Sequence, residues 1–220
     1  MTSRISPKRL LASAVYPRYS ELVDKLNRTP LFVNFIKQCE GVPCFDTREA
    51  MYQEVAPPGP IDYLEFGVWE GESILYWAWS NRHDESRFFG FDTFTGLPEN
   101  WGHRPAGTFN VEGKLPPTND SRVSFVSGLF QETVPKFLAD FEAKNRLVIH
   151  CDADLYSSTL YVLARLHSIM RPGTILIFDE FGDVQHEFRA FNDYVGSHKR
   201  SFRVLAGSSR FFALAVEIRD

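Results

Sequence analysis

The chain has no surplus of positive charge, few cysteines and no long apolar stretch, and each shortage narrows what it can be. Its 24 Lys and Arg stand against 28 Asp and Glu, giving a formal charge of −4 and a pI of about 5.9. A general nucleic-acid binder needs a basic surface to neutralise phosphates, so no nucleic-acid partner is expected. No run approaches the roughly 20 apolar residues of a membrane-spanning helix, so no membrane partner is expected and a cytoplasmic location is. The first 20 residues are basic but contain no continuous apolar segment, which argues against a secretory signal. Glu21 is the first acidic residue, which leaves a transit peptide open. The three cysteines, Cys39, Cys44 and Cys151, are too few and odd in number for a disulfide framework. Cys39 and Cys44 resemble half of a zinc site with no second half, so reduced thiols are expected. Internal repeats and low-complexity tracts are also missing.

What is present is ordinary globular material. The 220 residues are 44% hydrophobic and 15% aromatic, with 20 Phe, enough bulk for one deep core. Residues 1–60 read as a helical lid or interface extension. Apolar residues at helical spacing run over Tyr19–Leu26 and Leu31–Cys39, and Thr47 caps a short helix that Ala56-Pro57-Pro58-Gly59-Pro60 terminates. From Ile61 to the end, strand and helix patterns alternate. Strands are predicted over 61–66, 87–92, 123–127, 147–151, 174–178, 202–206 and 211–218, and helices over 73–80, 132–141, 157–169 and 186–194. Repeated β-then-α units imply a doubly wound, mainly parallel α/β sheet, here of seven strands. The short Gly207-Ser208-Ser209 turn makes the last two strands antiparallel. That late antiparallel strand suits a class I methyltransferase, Rossmann-like architecture better than a plain dinucleotide fold. Residues 93–122 form a loop long enough to be functional or disordered.

In such sheets ligands bind beyond the carboxyl ends of the strands. The first strand runs into Glu65-Phe66-Gly67-Val68-Trp69-Glu70-Gly71-Glu72-Ser73. Gly67 and Gly71 allow a tight turn and close approach of a ligand. This is neither G-x-G-x-x-G nor a Walker loop. Its glutamates oppose a pyrophosphate and suit a cation such as S-adenosylmethionine, with a bare turn as the alternative. Asp92 ends the second strand, placed either to accept ribose hydroxyls or to cap a turn. Asp152, Asp154, Asp179 and Glu180 converge from two further strand ends. Packed like charges cost energy unless protons or a cation compensate, and a divalent oxygen-seeking metal such as Mg²⁺ is the simplest compensation. Asp152, Asp179 and Glu180 are the candidate metal ligands, whereas Asp154 reads as a helix cap. His186 is a candidate general base or a surface helix residue.

Tyr63 to Val68 with Gly71 and Ser73-Ile74, Gly90 to Pro98, Gly128 to Pro135, Asp152 to Thr159, and Pro172-Gly173 through Glu180 occur in an order that resembles the macrocin O-methyltransferase-like group of class I S-adenosylmethionine-dependent methyltransferases. The resemblance runs from about Arg48 to about Phe191. It implies an O-methyltransferase, typically metal-dependent, acting on a sugar or similar hydroxyl. It implies Glu65 at the methionine amine, Asp92 at the ribose, and Ser127, Gly128 and Phe130 around the adenine, with Gly67, Gly71 and Ser73 shaping the turn. It places Asp152, Asp179 and Glu180 on the metal, where the founders have Asp at the position of Glu180. The acceptor-binding portions, 1–47 and 181–220, match less well.

The expected chemistry is an in-line methyl transfer to a small-molecule hydroxyl, with a metal lowering the hydroxyl pKa and Asp152 or His186 taking its proton. Trp101 and Phe109 of the long loop either close over the site or pack within the loop. An NAD-type oxidoreductase and a non-catalytic cofactor-binding partner protein are the other classes the sequence leaves open. Aromatic N-terminal helices and a Phe-rich edge leave homo-oligomerisation open too.

Overall fold

The computed structural model describes the backbone over residues 7–220 and side chains from residue 22 onward. The targeting-segment reading rests on residues 1–20, whose side chains lie outside those described. The chain forms two compact units, Met1–Glu40 and Gly41–Asp220. The first is dominated by one helix, α1 (Pro7–Gln38). Sequence spacing suggested two helices here. Pro30 removes one helical hydrogen bond, yet the helix continues. The turn before it is stitched by an Arg28–Asp24 ion pair at 3.0 Å and by the Thr29 hydroxyl donating to the Lys25 carbonyl at 2.7 Å.

The second unit is an eight-stranded sheet with helices on both faces. Its strands are β1 (Cys44–Phe45), β2 (Ile61–Phe66), β3 (Arg87–Asp92), β4 (Val123–Ser127), β5 (Arg146–Cys151), β6 (Ile175–Phe178), β7 (Phe202–Ser208) and β8 (Ala213–Ile218). Its helices are α2 (Arg48–Val55), α3 (Glu72–Ser80), α4 (Phe130–Asp140), α5 (Tyr156–Leu166) and α6 (Glu187–His198). The order across the sheet is β1-β7-β8-β6-β5-β2-β3-β4. All pairs are parallel except β8, which runs antiparallel to both β6 and β7. The expected seven strands are therefore joined by β1, a two-residue strand parallel to β7. Because β1 and α2 belong to this unit, the boundary falls at Gly41 and not at residue 60. No helix among the described residues is long and apolar enough to cross a membrane.

The period of two sends alternate side chains of each strand to opposite faces, and both faces bury aromatics. On one, Tyr63 stacks on Trp77 of α3 at 5.3 Å and Met51, Tyr52 and Val55 of α2 close the layer. On the other, Phe66 stacks on Phe91 at 4.8 Å and Phe137 of α4 meets Phe91 edge-on at 5.0 Å. Thr47 caps α2 as expected, accepting the Ala50 amide at 3.2 Å. Chain reversal is concentrated between β2 and β5, from which the order runs outward in both directions. This switch point is where open sheets of this type leave a crevice.

A buried carboxylate fixes the opposite end of the same strands. Asp62 accepts from Arg87 Nε and Nη2 at 2.8 Å each, from the Lys144 and Asn145 amides at 2.7 and 3.0 Å, and from Asn145 Nδ2 at 3.2 Å. Burial alone would raise its pKa, but the Arg87 and amide hydrogen bonds outweigh this and hold it below the ordinary 3.8. Asp62→Asn is expected to cost about 3 kcal/mol, the lower end of the range for breaking a buried pair, because Arg87 is 28% exposed. A carboxylate whose folded pKa is depressed stabilises above its unfolded pKa and loses that contribution as pH falls through the folded value. Chemical denaturation from pH 6 to pH 2 should therefore show the wild type losing the excess stability that the Asn variant never had.

Candidate active site

Beyond the carboxyl ends of β2, β3, β5 and β6 lies a cavity of about 340 Å³, the size of a small-molecule site. Six carboxylates and two guanidiniums line it: Glu72, Asp92, Asp152, Asp154, Asp179 and Glu180 against Arg48 and Arg104. That balance suits a cationic ligand, with the two guanidiniums as local exceptions.

One half is built by the glycine turn. Gly67 has φ +93, and a Cβ there would fall onto the Asp152 carbonyl, so β2 and β5 come together only because the side chain is missing. Gly71, with φ +84, would press a Cβ against Pro116 at 2.7 Å. Asp92 organises this half: its carboxylate accepts the amides of Val68 at 2.7 Å, Trp69 at 2.9 Å and Phe94 at 2.7 Å. With the Thr93 hydroxyl donating to the same carboxylate at 3.4 Å, these bonds define the loop. Gly67, Ser73, Asp92 and Phe130 line the cavity, with Leu129 and Gln131 beside Phe130. Glu65, Gly71, Ser127 and Gly128 do not line it. Glu65 is fully buried beneath the turn, receiving the Tyr63 hydroxyl and lying 3.4 Å from His150 Nδ1. Gly128 donates its amide to the Asp92 carbonyl at 2.9 Å, and the Ser127 hydroxyl donates to the Thr93 carbonyl at 3.5 Å. Both hold the wall that Phe130 faces.

The other half is acidic. Asp152, Asp154 and Glu180 each offer an oxygen within 4.8 Å of the others, and Asp152 and Asp179 form a second such group with His150. Burial is the first cause that raises Asp152 well above its usual value, Asp154 to about 7 and Glu180 to about 8, and neighbouring carboxylates add to it. Asp179 is different. Arg48 donates to it at 2.6 Å and the Tyr52 hydroxyl at 3.4 Å, and His150 and Arg48 hold it below the usual range against the cost of burial. Burial pulls His150 down, while Asp179 and Glu65 lift it to about 10. The donor set that suits a hard divalent cation is the all-oxygen group of Asp152, Asp154 and Glu180, where the buried Glu180 Oε2 has no protein partner.

Asp154 departs from the helix-cap reading. Its backbone has φ +60, the N-cap of α5 passes to Leu155, and no side chain caps the helix. Its carboxyl turns instead into the acidic group. His186 precedes α6; its Nδ1 accepts the Tyr156 amide at 3.3 Å and its ring meets Trp101 of the roof edge-on at 6.4 Å, one residue back from the cavity lining. Three residues carried no sequence signal. Arg48 and Arg104 are isolated arginines brought in by long-range packing. Glu187 is a buried carboxyl whose Oε2 accepts the Glu180 amide at 2.9 Å, fixing the strand end that presents Glu180.

The 93–122 loop forms the roof. Glu99 accepts the Ser157 hydroxyl of α5, and Trp101 Nε1 donates to Asp183 at 3.2 Å. Trp101, Arg104 and Phe109 line the cavity from above.

The profile of a family described as a methyltransferase domain matches residues 64–181, more than half of the chain. The chain belongs to this methyltransferase family. It is 28% identical over 177 residues to the 8-demethyl-8-(2,3-dimethoxy-alpha-L-rhamnosyl)-tetracenomycin-C 4'-O-methyltransferase of Streptomyces olivaceus, covering 68% of this chain and 66% of that protein, a little under two thirds of its length. Among solved structures it resembles CalS11, the calicheamicin methyltransferase, with a TM-score of 0.60 and 22% identity over 97% of this chain and 94% of that one. A second structure of CalS11, titled a TDP-rhamnose 3'-O-methyltransferase, aligns with a TM-score of 0.54 and 21% identity over 97% of this chain and 96% of that one. The O-methyltransferase NovP aligns with a TM-score of 0.57 and 18% identity over 85% of this chain and 79% of that one. At these identities the structural likenesses establish the shared fold, and this methyltransferase domain has the class I architecture.

Proposed function

We propose that the protein transfers the methyl group of S-adenosylmethionine to a hydroxyl of a sugar, either nucleotide-linked or part of a glycosylated natural product. The observation that carries this reading is a single cavity in which the glycine turn and an acidic cluster face each other across the switch point. The cofactor's sulfonium and ammonium suit a wall dominated by carboxylates. Asp92, which lines the cavity, would accept a ribose hydroxyl in place of the long Thr93 contact, and Phe130 and Leu129 would flank the adenine. Glu65, below the surface, would set the charge under the methionine end without touching it.

The methyl is already activated by the cofactor, so the protein's task is alignment and proton transfer. Of the all-oxygen group, Asp152 and Glu180 would hold a divalent cation such as Mg²⁺, leaving Asp154 to face the acceptor hydroxyl. When bound, it supplies a positive charge that lowers the acceptor hydroxyl's pKa. Asp154 takes the hydroxyl proton on its carboxylate, the oxygen attacks the methyl carbon in line, and the carbon–sulfur bond breaks with its electron pair going to sulfur. S-adenosylhomocysteine and a methyl ether leave. Trp101 and Phe109 exclude water from the exchange. The rhamnose-directed names of the Streptomyces relative and of CalS11 support a deoxysugar acceptor. An NAD-type oxidoreductase is disfavoured because the glutamates of the glycine turn oppose a pyrophosphate.

Calorimetric titration with S-adenosylmethionine tests the cofactor half. Micromolar binding by the wild type, lost in Asp92→Ala, is expected. A folded wild type that binds no cofactor would refute the reading.

A further inference from the structure

Arg104 is an unusual presence in a cavity built for positive ligands. It lines the acidic half, and its charge is the first opposing influence, after burial, on the raised pKa of Asp154. A cation so placed would normally fold onto a carboxylate, as Arg48 does onto Asp179 and Glu72. Yet among the described residues Arg104 has no ion pair and no side-chain hydrogen bond. It is held by other means. Its guanidinium lies 4.8 Å over the Trp101 ring and 5.1 Å over the Phe109 ring. Its backbone exchanges two hydrogen bonds with Trp101, at 2.8 and 2.9 Å, and the Trp101 indole is itself anchored to Asp183. The strand-like bridge and the two rings fix the plane of the guanidinium while leaving its donors free. A planar fork of unused donors, preorganised on aromatic faces, suits bidentate recognition of an anionic oxygen group.

We propose that Arg104 is a specificity-determining residue that binds the diphosphate of a nucleotide-linked sugar, so that methylation precedes transfer of the sugar to its final carrier. This inference rests on the methyltransferase reading above and names its acceptor class. A neutral glycoside offers the unused donors of Arg104 no anionic oxygen to bind. An activated sugar has a hydroxyl for Asp154 and a phosphate for Arg104, and both residues line the same cavity. The reaction that supplies the acceptor is then a nucleotide-sugar-forming or -modifying step, and the one that consumes the product is a glycosyl transfer.

The test is calorimetry with S-adenosylhomocysteine held saturating. TDP-rhamnose and methyl rhamnoside are titrated into the wild type, Arg104→Met and Arg104→Lys. The wild type should bind the nucleotide sugar at least about tenfold more tightly than the glycoside, Arg104→Met should reduce that preference to within about threefold, and Arg104→Lys should keep part of it. The inference is overturned if the wild type binds the two sugars equally or does not bind the nucleotide sugar, or if Arg104→Met retains the preference. It is overturned equally if Arg104→Met weakens S-adenosylhomocysteine by the same factor, because the arginine would then serve the cofactor's carboxylate. Loss of the cofactor reading shows itself separately, as a wild type that binds no S-adenosylhomocysteine.

Discussion

Gly67→Ala is expected to destroy cofactor binding and to cost at least about 3 kcal/mol of stability, in the range reserved for a backbone that cannot be accommodated. Two independent penalties meet at this position. Its φ of +93 lies where an L side chain is strained. The added methyl would also overlap the Asp152 carbonyl and press on the Ala153 Cα at 3.2 Å. Neither obstacle is a flexible side chain that could swing aside. The Gly67 amide meanwhile donates to the Phe91 carbonyl and the Asp152 amide to the Phe66 carbonyl, both at 2.9 Å, so β2 cannot retreat without loosening β3 and β5. Gly102→Ala is the control. It too has positive φ, at +54, but nothing lies within 4 Å of its Cβ, so it should cost about 1 kcal/mol. Equal losses in the two variants, read by denaturant unfolding, would mean that the close approach of β2 and β5 does not shape the site.

Asp154→Asn should lower kcat by about 10²–10⁴, the usual contribution of a proton acceptor, while leaving cofactor affinity in place. Stability should hold or rise. Asn is one of the residues that tolerates the left-handed backbone found here, so the turn survives the change. Removing one carboxylate from a group in which burial and like charges already raise Asp152, Asp154 and Glu180 relieves repulsion in the folded state. Activity falling while the melting temperature is kept separates a functional role from a merely structural one. A variant turning over within a few fold of the wild type would remove Asp154 from the chemistry.

The parts of the fold that the sequence made legible are those set by local pattern. β2, β3 and β4 fall on the predicted ranges because short apolar runs between turn residues leave little room for another register. β1 was missed because two residues carry no period; only its pairing with β7 makes it a strand. The two stretches of helical spacing, Tyr19–Leu26 and Leu31–Cys39, fall almost wholly within the one helix α1, because Pro30 between them removes only a single backbone hydrogen bond.

At the site, residues fixed by the ends of strands were readable and residues fixed by packing were not. Asp152, Asp179 and Glu180 follow directly from β5 and β6. Asp154 stands just ahead of a helix, where Asp usually caps, and only the backbone turn at φ +60 swings it into the cavity. Arg48 meets Asp179 across a separation of 131 residues, and no local pattern announces that pairing. It also changes the reading of Asp179, which is committed to Arg48 and Tyr52 and is therefore set apart from the all-oxygen group. His186 was attractive for its nearness to β6 in sequence, but the chain turns its ring toward the start of α5.

The central claim is that this cavity moves a methyl group from sulfur to a sugar oxygen beside Asp152, Asp154 and Glu180. The most direct measurement is transfer of an isotopically labelled methyl from S-adenosylmethionine to TDP-rhamnose, with the product's labelled position assigned by NMR and the assay repeated with Asp154→Asn. One labelled methyl ether on a sugar hydroxyl is expected with the wild type, and a loss of at least about a hundredfold with the variant, the lower bound for a proton acceptor. Label on nitrogen or carbon, or equal turnover by the variant, would contradict it.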